Sequence, residues 1–175
     1  VEMEEVDGHF FYLRYPLVHR PENAADQKDA QEVTWDELAA RGYPGAREQA
    51  GDENAWVTVA TTRPETYLGD TAVAINPRDP RAAALRGLCM QLPLVGRVIP
   101  IVEDDYVVMP AADPDAEGVD AKAKYATGFL KVTPAHDPND YEIGRRHDLP
   151  VINVMAPDAS ISDLHGWTDI GDARG

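Results

Sequence analysis

The sequence predicts a mainly β fold with short helices, an α+β domain built on a closed or nearly closed β-barrel. Three observations predict it. Strand-like runs are many and short, the helix signals are few and brief, and no internal repeat links them. The 175 residues, 43% hydrophobic, are read as one domain spanning 1–175, long enough to bury a sizeable core.

In chain order, residues 9–18 read as a strand, with Phe11, Leu13, Tyr15 and Leu17 on one face and Arg14 on the other. A polar stretch, 20–33, follows. Thr34-Trp35-Asp36-Glu37 has the form of a capping box and predicts a short helix stopped near Gly42. Strands are expected at 55–61 and 71–76. Asp79-Pro80, followed by the helix formers Arg81 to Arg86, predicts a capped helix ending at Gly87. Extended segments are expected at 91–94, 97–102 and 105–109. Residues 110–124, rich in Pro, Asp and Ala, read as an acidic surface loop. The apolar run Phe129, Leu130, Val132 is a strand that stops at Pro134. A helix then opens with Asp137 as N-cap and Pro138 at its first position. A last strand is expected at 151–155, and a loop-rich tail runs through Trp167.

Charge and cysteine usage exclude several function classes. Sixteen Lys and Arg stand against 31 Asp and Glu, a net charge of −15, so the chain has no broad basic face for nucleic-acid phosphates. Cys89 is the only cysteine, which precludes an internal disulfide, fits a cytoplasmic protein and reads as a small buried hydrophobe. No run of about 18 apolar residues suits a membrane, and Val-Glu-Met-Glu-Glu is unlike a basic signal-peptide start. His9, His19, His136, His147 and His165 show none of the spacings of a metal site, so no metal ligand is expected.

The chemistry-bearing residues fall in two stretches. Asp137 and Asp140 both lie at the mouth of one helix, where backbone N–H groups and the macrodipole favour carboxylates, a good place to grip a cationic or hydroxylated ligand. Lys131 lies on the strand just before it. The other stretch, Ala60-Thr61-Thr62-Arg63-Pro64-Glu65-Thr66-Tyr67-Leu68-Gly69-Asp70, is a strand breaking into a hydroxyl-rich turn. His136 is the tempting general base, since its ordinary pKa is about 6.5, but a histidine before an N-cap also serves to orient a backbone turn. Arg63 is pushed to an extended conformation by Pro64 and could simply pair with Glu65.

These two stretches closely resemble the editing domain of valyl-tRNA synthetase, in the class I aminoacyl-tRNA synthetase family. They are Thr61-Thr62-Arg63-Pro64-Glu65-Thr66 with Gly69-Asp70-Thr71-Ala72-Val73-Ala74, and Thr127-Gly128-Phe129-Leu130-Lys131-Val132-Thr133-Pro134-Ala135-His136-Asp137-Pro138-Asn139-Asp140-Tyr141. The likeness runs from Asp7-Gly8-His9-Phe10 through Leu92-Pro93-Leu94-Val95-Gly96-Arg97 to Arg146-His147-Asp148-Leu149-Pro150. Ala126 departs from it, standing where the family has glycine, and so does Tyr67, where an aliphatic residue is usual. The His-Ile-Gly-His and Lys-Met-Ser-Lys-Ser signatures of a synthetase active site are not in this sequence, so the chain reads as a domain excised from a larger synthetase.

The resemblance implies hydrolysis of the ester in threonyl-tRNA mischarged on valine tRNA. This family is itself the worked case of the underlying limit: a valine pocket rejects isosteric threonine by only about 10²-fold, so a second site must clear the error. By the same resemblance Asp137 grips the α-ammonium, with Thr62 and Thr66 beside it in the catalytic set to position water or stabilise the oxyanion. Lys131 and Asp140 frame the substrate hydroxyl. Arg63 and Asp70 organise the threonine turn or the terminal adenosine, and Thr61 and His136 are counted with them among the substrate-binding residues. The implied partners are the CCA end of valine tRNA and the rest of the parent synthetase. No cofactor is expected here, ATP and magnesium belonging to the synthetic site. The rival readings are a leucyl- or isoleucyl-type editing domain and a non-catalytic insertion that binds the CCA end.

Overall fold

The computed structural model describes residues 9–23, 27, 30–49, 54–119 and 121–163. Six strands form one sheet, β1 (Phe11–His19), β2 (Trp56–Thr61), β3 (Ala72–Ile75), β4 (Leu88–Gln91), β5 (Val98–Glu103) and β6 (Phe129–Val132). Their order is β2-β1-β4-β5-β3-β6, curled into a nearly closed barrel whose outer strands β2 and β6 lie together without a ladder. The predicted fold class therefore holds, with one unsealed seam.

Strand β1 serves two partners. Its first half pairs antiparallel with β2, from Phe11 opposite Thr61 to Pro16 opposite Trp56; its last three residues pair with β4, from Leu17 opposite Met90 to His19 opposite Leu88. Proline supplies no ladder N–H, and Pro16 stands where the partner changes. Alternation sends Tyr15 and Leu17 into the barrel and leaves Tyr12 and Arg14 outside. Phe11, expected on the core face, is exposed because the barrel wall ends there.

Strand β3 explains the short apolar sequence Ala-Val-Ala-Ile. It pairs parallel with β5 and antiparallel with β6, and both its faces are buried. Val73 and Ile75 enter the barrel core with Val57, Val59, Met90, Ile99 and Phe129. Ala72 and Ala74 face outward, where their small size lets the helix α4 (Pro138–Arg146) lay Ile143 against them, alongside Val132 and Val107. Gly144 takes part for the same reason: a β-carbon there would come within 2.9 Å of Pro134 Cγ.

Among the described residues the three other α-helices are short. In α1 (Trp35–Ala40) Thr34 Oγ1 accepts from Glu37 N as predicted, and the helix stops at Gly42, whose φ of +82° suits glycine. Glu37 does not return the favour of a capping box; its carboxylate turns to His19 and Arg41. The helix predicted from Asp79 is regular only as α2 (Ala82–Leu85); Asp79 Oδ1 accepts from Arg81 N in the manner of a cap, and both its oxygens also hold the Arg81 guanidinium. In the loop predicted at 110–124, residues 112–118 are exposed, Ala111 N donates to Ala123 O, and the C-terminal part is α3 (Ala121–Tyr125), which the sequence did not predict.

The other corrections concern strands. The segment expected at 91–94 is the tail of β4 and a tight turn closed by Leu92 N to Arg97 O. Residues 105–109 form a turn whose Val107 carbonyl accepts from Asn76 Nδ2. No strand forms at 151–155; Met155 makes one bridge to Ile161, and Val154 is buried near the turn around Gly69. The tail beyond 163, with Trp167 and His165, lies outside the described residues, as does the start of the likeness at Asp7 and Gly8. Among the described residues no helix is long and apolar enough to cross a membrane.

Candidate active site

The turn after β2 and the turn after β6 meet at one end of the seam, around a cavity of about 230 Å³. That volume lies below the ~300–1,000 Å³ usual for drug-sized ligands, which suits a small occupant. Thr61, Thr62, Arg63 and Thr66 line it from the first turn, and Lys131, His136, Asp137 and Asp140 from the second. Eight of the nine residues singled out from the sequence thus share one cavity. Asp70, the ninth, has no exposed surface and stands behind the wall.

The first turn is organised by its own hydroxyls. Thr61 Oγ1 accepts from Arg63 N, and Thr66 Oγ1 donates to Arg63 O. Pro64 starts a 3₁₀ turn (Pro64–Gly69) that must end in glycine, since a β-carbon on Gly69 would sit 2.8 Å from Ile152 O. Arg63 reaches across to donate from Nη1 to His136 O at 2.8 Å, pinning the two turns together; its approach to Glu65 is looser, at 3.8 Å. Thr62 is exposed, and no hydrogen bond to its hydroxyl is seen among the described residues. It is the threonine of this turn free to meet a ligand.

Behind the cavity lies a buried charge network. Lys131 Nζ donates to Asp70 Oδ1 at 2.9 Å, to Thr66 Oγ1 at 2.9 Å and to Thr133 Oγ1. An ammonium has three N–H donors, and all three have protein acceptors. Lys131 therefore shapes the wall and its potential; it pairs with Asp70, not with Asp140 as its neighbour in the substrate frame. Thr133 Oγ1 donates to Asp70 Oδ1 and Tyr15 to Asp70 Oδ2, both at 2.6 Å. Burial pushes the Asp70 carboxyl up while Lys131 and the two hydroxyls oppose it. Burial, then Asp70, also raises the Tyr15 phenol, which stays a donor. Arg97 Nη2 donates to the Asp70 carbonyl at 3.0 Å.

Two carboxylates face the cavity, in different surroundings. Asp137 Oδ1 caps α4 by accepting from Asn139 N and Asp140 N, which leaves its second oxygen for a ligand. Asp140 is 8% exposed, and Oδ2 accepts from Thr133 N at 2.9 Å. Burial first, then the neighbouring Asp137 and Asp70 charges, push its pKa up to about 6. His136 accepts at Nε2 from Val154 N at 3.1 Å, so it orients the backbone that packs on Gly69. Burial and the Arg63 and Lys131 cations hold it below its ordinary pKa, in keeping with a neutral acceptor.

The sequence reading missed Thr133, Tyr15 and Arg97. Thr133 was legible, two residues from Lys131 on the same strand face. A phenol on the barrel-facing side of a strand likewise needs a polar partner. The glycine departure at Ala126 is harmless to the backbone: the positive φ in this turn belongs to Gly128, at +84°, where a β-carbon would strike Arg81.

Comparison with known proteins gives consistent relatives. The chain is 44% identical over 166 residues to a valine–tRNA ligase of Prochlorococcus marinus (strain MIT 9313), a match covering 95% of this chain and 13% of that protein. A valine–tRNA ligase of Clostridium tetani is 41% identical over 166 residues, covering 95% of this chain and 14% of the relative. One from Treponema denticola is 47% identical over 115 residues, 66% of this chain and 11% of the relative. The chain thus spans about one seventh of the length of the first relatives it matches. No protein-family model matches it.

Proposed function

We propose, from the premise that this chain is homologous to one segment of the valine–tRNA ligases, that it hydrolyses the ester of mischarged tRNA, with threonyl-tRNA on valine tRNA as substrate. The observation that carries the reading is the small cavity in which two carboxylates and an unengaged threonine hydroxyl converge. A free anionic oxygen on Asp137 suits the α-ammonium of an aminoacyl ester, a charge-assisted contact. The second oxygen of Asp140, held by Thr133 from behind, accepts from the hydroxyl of a threonyl side chain. Valine in the same place leaves that buried acceptor unpaired, at a cost of about 1–3 kcal/mol.

The ester is already activated, so the protein's task is positioning and charge stabilisation. Water oxygen bonds to the carbonyl carbon, and the bond to the ribose oxygen breaks. The terminal nucleoside takes up a proton, and threonine leaves as the free amino acid. Thr62 is placed to hold the water or the developing oxyanion. Thr66, engaged with Lys131 and Arg63, supports the wall, and Lys131 with Asp70 fixes its potential. His136 supports the backbone in preference to acting as base. No step calls on a metal or a cofactor; ATP and magnesium belong to aminoacylation elsewhere in the parent ligase. The remaining partner is the CCA end, with most tRNA affinity supplied by the rest of that ligase, since the domain is strongly acidic.

The test is release of amino acid from threonyl- and valyl-loaded valine tRNA, using this chain and the full-length ligase. Faster clearance of threonine than of valine is expected. Equal rates from the full-length ligase, or clearance unaffected when this segment is deleted, would overturn the reading.

A further inference from the structure

We propose that the outer face of the β1–β2 pair is a stacking track for the unpaired nucleotides that precede the acylated end. The inference rests on the reading that the polar cavity receives an aminoacyl-RNA end, and it concerns residues outside that cavity's polar machinery.

Alternation puts Tyr12 and Arg14 on the face opposite the buried Tyr15, about 7 Å apart along one strand. The register sets Tyr12 beside Ala60 and Arg14 beside Thr58, so no large neighbour covers the Tyr12 ring, which is 54% exposed. The Arg14 guanidinium lies 4.4 Å over the Trp56 ring. At the other end Phe10, 44% exposed, stacks on Tyr125 with ring centres 5.0 Å apart. These side chains form one strip, and the strip has a direction. Phe10 and Ala60 also line the polar cavity. Trp56 and Thr58 line a second cavity of about 300 Å³ with Trp35, Tyr43 and Phe129.

An exposed strip of this kind marks an interaction surface, and its chemistry selects the occupant. Aromatic rings interleaved with one arginine bind single-stranded nucleic acid through its bases, because every base has a π-face. Stacking needs no net positive charge. A chain of net charge −15 gains little from phosphates, so a track that reads bases is the form of RNA contact open to it. Continuity with the cavity then sets the polarity, with the terminal nucleotide at the Phe10 end and earlier bases towards Arg14 and Trp56.

The experiment titrates this chain into a 5′-labelled single-stranded RNA hexamer ending in CCA, read by fluorescence anisotropy, beside an abasic strand of equal length. Michaelis constants for threonyl-tRNA clearance are measured in the full-length ligase. Tyr12→Ala and Arg14→Ala are on an exposed face and leave the core intact; Tyr106→Ala, exposed elsewhere, is the control. Each track variant is expected to weaken RNA binding about five-fold or more and to raise KM with kcat unchanged, and the abasic strand to bind poorly. No saturable binding up to millimolar RNA, or unchanged affinity and KM in both variants, overturns the track; the latter is the result if the face instead packs on polypeptide. Tyr12-dependent RNA binding without any ester cleavage would sustain the track and remove the hydrolytic reading. Cleavage with KM unmoved would do the reverse.

Discussion

Replacing Asp140 by asparagine is expected to stabilise the protein at neutral pH while narrowing its discrimination. The carboxyl is buried, and its pKa is pushed up to about 6 by that burial and by the Asp137 and Asp70 charges. Against an unfolded value near 3.9, a rise of roughly two units at about 1.4 kcal/mol each amounts to about 3 kcal/mol. The raised value means the folded state holds the proton more tightly. The associated stability is fully present below about pH 3.9 and lost as pH rises through about 6. Asparagine keeps the shape, and its carbonyl can still accept from Thr133 N, but its NH₂ needs a partner, at about 1 kcal/mol. The net gain at pH 7.5 is therefore about 1–2 kcal/mol, and at pH 4, where only the unpartnered amide counts, the variant is about 1 kcal/mol less stable than wild type. Urea denaturation of both proteins at the two pH values measures it. A difference that does not change with pH, or an asparagine variant less stable at pH 7.5, would refute the reasoning. In the same pair, wild-type threonine clearance should rise through pH 6, and the variant should lose that inflection and approach equal rates on threonine and valine.

Asp137→Ala should abolish threonine clearance in the full-length ligase, leave valine activation intact, and cost about 0.5–2 kcal/mol as a lost helix cap; deacylation and denaturation assays check the two parts. Lys131→Met strands the buried Asp70 carboxylate and is expected to cost about 3–5 kcal/mol, while the double change with Asp70→Asn should cost much less than the sum, as a double-mutant cycle in urea will show. Leu94, 95% exposed with φ of +67°, is strained without a packing return, so Leu94→Gly should raise stability by about 1 kcal/mol, read as a higher melting temperature.

The parts of the fold legible in the sequence are those that local chemistry decides. Thr34 and Asp137 cap their helices as predicted, because a cap depends on a few neighbouring residues. Asp79 looked the same and makes the cap-type bond to Arg81 N, but regular helix follows only from Ala82, with the Arg81 guanidinium also folded back onto the carboxylate. Residues 151–155 had the apolar content of a strand, yet their place is set by packing on Gly69 and by His136, which local pattern does not encode. The cavity's membership was legible through two motifs. The arrangement behind it was not: pairing Lys131 with Asp70 depends on β3 and β6 lying side by side, with Tyr15 arriving from β1. Long-range pairing of that kind leaves no signature in spacing.

The unsealed seam has a consequence for how the molecule deforms. Elsewhere in the barrel a change of strand separation must stretch a ladder of backbone hydrogen bonds, but β2 and β6 are held to each other by side-chain packing and by the Arg63 bridge to His136. Spreading or closing of the barrel is therefore concentrated along this line, and the cavity sits at its end, with one turn on either bank. The compliance that admits an occupant and the stiffness that fixes Asp140 through Thr133 reside in different parts of the same wall: a loose joint in front, a cross-linked buried ion cluster behind. The joint also has a liability, since the facing edges of β2 and β6 carry backbone groups without ladder partners, and such edges invite pairing with another chain.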